Sequence, residues 1–65
     1  MSPDRRQQGR EVYFEFTPVG AVVKVAAIDS MTGIEVAVMG PASASQADLE
    51  RLALQKLKAR LAREP

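Results

Sequence analysis

The segment Glu11-Val-Tyr-Phe-Glu-Phe-Thr17 alternates strictly between apolar and polar side chains. Val12, Phe14 and Phe16 share one side; Glu11, Tyr13, Glu15 and Thr17 share the other. A period of two is the signature of a strand with one face buried. Such a strand cannot stand alone, because its apolar face needs partners and a covering layer. The rest of the chain therefore has to supply them.

It supplies two more strands. Pro18-Val19-Gly20 reads as a turn: Pro presets φ, and Gly accepts a positive φ. Ala21 to Asp29 is rich in β-branched residues and reads as a second strand. Asp29-Ser-Met-Thr-Gly33 fits a type I turn closed by a glycine in the left-handed region. Ile34 to Met39 alternates again, with Ile34, Val36 and Val38 on one face, and Gly40-Pro41 is expected to end it. If Asp29 meets Ile34, Ala27 faces Val36 and Val25 faces Val38. If Phe16 meets Val23, Phe14 faces Val25, Val12 faces Ala27 and Glu15 faces Lys24. Both hairpins then choose Val23, Val25 and Ala27 as the inward set of the middle strand.

After Pro41 the period changes. Ser45 is placed to cap a helix, with Asp48 in its first turn. Leu49, Leu52, Ala53, Leu57 and Leu61 follow at spacings of three and four, and Leu54 widens the stripe. Lys56 and Arg60 fall within the apolar arc, as expected of a last turn that overhangs the sheet. The fold class predicted is α+β: a three-stranded antiparallel meander with one C-terminal helix packed on one face, in the order β-β-β-α. Residues 1–9 read as a disordered tail and residues 10–64 as one domain. The predicted core is Val12, Phe14, Phe16, Val23, Val25, Ala27, Ile34, Val36, Val38, Leu49, Leu52, Ala53, Leu57 and Leu61.

Composition narrows the chemistry. The chain has 65 residues, with no cysteine and no histidine. Disulfides and thiolate metal sites are therefore absent, as are the commonest metal ligand and the commonest general base. Glu11 and Glu15 share a face but lie about 13 Å apart on a strand, too far for a glycosidase-type pair. No phosphate-loop pattern exists. The expectation is a protein that is not an enzyme and takes no cofactor and no metal. No stretch is apolar enough to span a membrane. Residues 1–10 lack the apolar core of a secretory signal, so a cytoplasmic protein is expected.

A 65-residue chain without staples often gains stability by associating. The face away from the helix carries Tyr13, Val22, Lys24, Ala26, Ala37 and Met39, an apolar group with a charged rim. It reads either as an ordinary exposed face or as a homodimer surface. Edge pairing by the first or third strand is the other route to a dimer. On the facial reading, Tyr13→Asp or Met39→Asp weakens association without unfolding the monomer. The basic groups offer an alternative, a weak nucleic-acid-binding module. Arg51, Lys58, Arg60 and Arg63 lie in the helix, Arg5 and Arg6 in the tail, and Arg10 directly after it. The plainer reading is a solvated helix face with cations suited to the dipole, since no basic stripe is interleaved with aromatics.

Glu11-Val-Tyr-Phe-Glu-Phe16, Val23-Lys-Val25, Asp29 through Thr32-Gly33-x-Glu35-Val36, Gly40-Pro41 and Leu52-Ala-Leu-x-Lys-Leu57 resemble a family of short uncharacterised alphaproteobacterial proteins. The resemblance covers about residues 10–58. Some members of that family carry a serine hydroxymethyltransferase label. Such enzymes are several times longer and hold pyridoxal phosphate through a dedicated lysine motif, which this chain lacks. The resemblance implies a compact domain and adds no activity to it.

Overall fold

In the computed structural model, which describes residues 11–63, three strands precede one helix. Strands β1 (Val12–Val19), β2 (Val22–Asp29) and β3 (Glu35–Pro41) form one antiparallel sheet in the order β1-β2-β3. Helix α1 (Gln46–Arg63) then crosses one face. The expected β-β-β-α architecture is thus observed. The expected tail, residues 1–9, lies outside the described residues.

The second hairpin has the expected register: Ala27 pairs with Val36 and Val25 with Val38. Its turn is built by Asp29, which is fully buried. Asp29 Oδ2 accepts hydrogen bonds from the Thr32 amide (3.0 Å) and the Thr32 hydroxyl (2.8 Å). The Gly33 amide donates to the Asp29 carbonyl at 2.8 Å, and Gly33 takes a φ of 75°. A short acidic side chain bonding the backbone three residues ahead suits a tight turn, and glycine closes it without a Cβ penalty.

The first hairpin differs from expectation. Phe16 pairs with Val25, Phe14 with Ala27 and Val12 with Asp29. Pro18 and Val19 belong to β1, and the turn is the two residues Gly20 and Ala21. Gly20 has a φ of 63° and Ala21 a negative φ, the signs of a type II′ turn. The strand thus runs two residues further than the sequence suggested. A two-residue slip keeps every side chain on its face, so the inward set survives while the neighbours change. Glu15 stands opposite Ala26, and Lys24 opposite Thr17, so the expected Glu15–Lys24 cross-strand pair is replaced.

Pro18 does not end β1 because its nitrogen faces away from β2. The Ser30 amide donates to the Glu11 carbonyl at 2.9 Å, so Glu11 turns its polar groups toward β2. Antiparallel alternation then turns those of Tyr13, Glu15, Thr17 and Val19 the same way. The main-chain groups of Val12, Phe14, Phe16 and Pro18 face the outer edge. The same holds at β3. Asp29 N donates to Ile34 O and Ala42 N to Ala21 O, each at 2.9 Å, which aims Val36, Val38 and Gly40 at β2. Glu35, Ala37, Met39 and Pro41 then face outward. Pro41 therefore sits inside β3 rather than beyond its end. Proline is tolerated where the missing N–H would meet solvent.

The core lies between sheet and helix: Val25, Ala27, Val36, Leu49, Ala53 and Leu57 are buried, with Val12, Phe14, Phe16, Val23, Ile34, Val38, Ala44 and Leu61 packed around them. Leu49 sits directly over Gly40, where an added Cβ would lie 2.6 Å from Leu49 Cδ2. Ser45 caps the helix, its hydroxyl accepting from the Asp48 amide at 3.3 Å.

Leu52 is a correction. Expected in the core, it is 51% exposed. The helix packs on β2 and β3, with no comparable contact to β1. Its far flank therefore hangs beyond the β3 edge, and Leu52 is on that flank. Lys56 lies on the same flank and bends back, its Nζ donating to the Ala37 carbonyl at 2.7 Å. The lysine within the apolar arc thus has a partner on the sheet edge.

Candidate functional site

The sheet has two faces and two edges, and the helix uses them unequally. Its core stripe of Leu49, Ala53 and Leu57 sits over β2 and β3. Val12, Phe14 and Phe16 point to the same side from β1 but are only half-buried. Leu54, on the flank of the helix opposite Lys56, is also half-buried. The β1 side of the core is therefore open from the side.

The outer face gathers all six predicted residues. Read across the register, Tyr13, Ile28 and Glu35 form one row; Glu15, Ala26 and Ala37 the next; Thr17, Lys24 and Met39 the third; and Val19, Val22 and Pro41 the last. Tyr13 and Met39 are prominent, at 54% and 57% exposed, but stand in different rows on opposite strands. Ala26 between them is sunk, at 1%. Lys24 rises from the middle strand. The face is thus apolar in its floor and mixed in its relief, where Met39 and Val19 stand beside Tyr13 and Lys24. Tyr13 donates its hydroxyl to Glu11 Oε1 at 2.8 Å. That hydrogen bond, then the carboxylate's charge, then burial, raise the phenol above its ordinary value of 10.0.

The two edges also differ. At β3, Lys56 occupies the Ala37 carbonyl and Pro41 withholds a donor. At β1, Pro18 withholds a donor at one end, while Val12, Phe14 and Phe16 present both N–H and C=O. Among the described residues the sheet adds no strand beyond β1. The parity of Pro18 with Val12, Phe14 and Phe16 was the sequence signal for this edge. Reading the proline as a turn hid it.

The four helix cations expected to contact nucleic acid are not gathered. At 3.6 residues per turn, Arg51 and Lys58 lie opposite the Leu49–Leu57 stripe, whereas Arg60 falls in line with that stripe and Arg63 on its β3 flank. Arg51 is paired with Asp48 at 3.0 Å. Arg5, Arg6 and Arg10 lie outside the described residues. Among the described residues, no group of three or more acidic side chains could hold a metal, and no pocket is present. No helix among them is long and apolar enough to cross a membrane.

Residues 9–64 match the family described as a domain of unknown function, DUF6898. The chain belongs to the DUF6898 family. The match spans all three strands and the helix of this DUF6898 domain. No curated protein and no solved structure matches it.

Proposed function

We propose that this DUF6898 domain works by self-association, as a homodimer that serves as a non-enzymatic interaction module in the cytoplasm. The observation that carries the reading is the placement of the helix. It covers β2 and β3 and leaves Val12, Phe14 and Phe16 of β1 half-buried. Two large aromatic side chains left partly wet in so small a domain are a standing drive to associate. The spread of Arg51, Lys58, Arg60 and Arg63 around the helix lends no support to nucleic-acid binding. Sedimentation equilibrium of the full chain at micromolar concentrations tests the proposal. A dimer mass is expected; a monomer mass throughout would overturn it.

A further inference from the structure

We propose that two copies join through the outer edges of β1, antiparallel about a two-fold axis at Phe14, into one continuous sheet. The inference rests on the self-association reading and names its surface. The first ground is the difference between the edges. An unpaired strand edge is a template for another chain, and proteins blunt the edges they do not use with lysine or proline. The β3 edge carries both devices, Lys56 on the Ala37 carbonyl and Pro41 at its end. The β1 edge carries only Pro18, and Val12, Phe14 and Phe16 stay available ahead of it.

The second ground is that charge selects one register. Antiparallel β1 strands hydrogen-bond only where outward-facing residues meet. With Phe14 opposite Phe14 of the second copy, Val12 meets Phe16 and all three residues pair, making about six main-chain bonds. On the outer face Tyr13 then stands opposite Glu15, and Glu11 opposite Thr17. No like charges oppose one another. Sliding two residues one way sets Glu11 against Glu15. Sliding two residues the other way sets Glu15 against Glu15 and gives Val12 a proline partner. Both alternatives oppose carboxylates, so charge favours the Phe14-centred register.

The third ground is the inner face. A two-fold axis perpendicular to the sheet keeps both helices on the same side. Phe14 then packs beside Phe14, and Val12 beside Phe16, at the flank of the core that the helix leaves open. One interface closes both the unpaired edge and the half-buried aromatics.

Disulfide trapping tests the register, because the natural chain has no cysteine. Tyr13 and Glu15 are exposed, so Tyr13→Cys and Glu15→Cys spare the core. In the proposed register these positions are directly opposite across the axis, with Cα atoms about 4.5 Å apart, within disulfide reach. Each position is offset by two residues from its own copy, about 7–8 Å, which is too far. Mixing the two variants under air oxidation is expected to give several-fold more linked dimer than either variant alone. Efficient linking of Tyr13→Cys alone, or of Glu15→Cys alone, would overturn the register. No linking in the mixture, with a wild-type chain that sediments as a dimer, would overturn the β1 edge and leave self-association standing. A wild-type chain that sediments only as a monomer would remove both.

Discussion

At the scale of single residues, two side chains make commitments that can be measured. Asp29 is buried and holds the Asp29–Gly33 turn through Oδ2, which accepts from both the amide and the hydroxyl of Thr32. Asp29→Ala leaves those donors without that acceptor, and a loss of about 1–3 kcal/mol is expected in urea unfolding. Asp29→Asn keeps an acceptor oxygen and is expected to lose less. Tyr13 is the chain's only tyrosine, and there is no tryptophan, so tyrosinate absorbance reports it alone. Its phenol is held above 10.0 by the Glu11 carboxylate. Whatever that hydrogen bond contributes to stability is intact below the unfolded value and is lost as pH rises through the raised one. Glu11→Gln removes the charge and is expected to bring the titration midpoint down. An unmoved midpoint would mean that the pair does not form.

At the scale of elements, the docking of helix on sheet turns on one close approach. Gly40 in β3 lets Leu49 sit where a Cβ would lie 2.6 Å from Leu49 Cδ2. Gly40→Ala must displace a side chain that is 5% exposed and so has little room to yield. A cost of about 1–3 kcal/mol is expected, in the range of core overpacking. Leu49→Ala empties the site and costs about 2–5 kcal/mol alone. Because the two changes share one contact, the double variant is expected to lose less than their sum in a denaturation cycle. The same docking explains Lys56. A helix set over β2 and β3 carries one flank past the sheet, where an apolar residue is wasted and a lysine reaches an unpaired carbonyl. Leu52 shows the apolar case.

At the scale of the whole molecule, a 65-residue chain has little core with which to offset its conformational entropy. A dimer closed along the β1 flank, as proposed, would tie stability to concentration by mass action. The thermal unfolding midpoint, followed by circular dichroism, is expected to rise over about a hundredfold increase in protein concentration. A midpoint that stays constant over that range would place all the stability in the single chain.

The sequence alone determined the elements, their order and the side each strand buries, because side-chain periodicity is a local property read from neighbouring residues. The alternation in Glu11–Thr17, the Asp29–Gly33 turn and the cap at Ser45 are each legible this way. Tertiary structure decided what depends on distance. Whether Pro18 turns the chain or continues it depends on which way its nitrogen faces, and β2 sets that direction. Leu52 has the same local pattern as Leu49, and only the lateral position of the helix separates a wet leucine from a buried one. The outer-face residues were legible as a set, since strand parity places them. The asymmetry of the two edges was not, because Lys56 and Ala37 lie nineteen residues apart and meet only when the helix settles on the sheet.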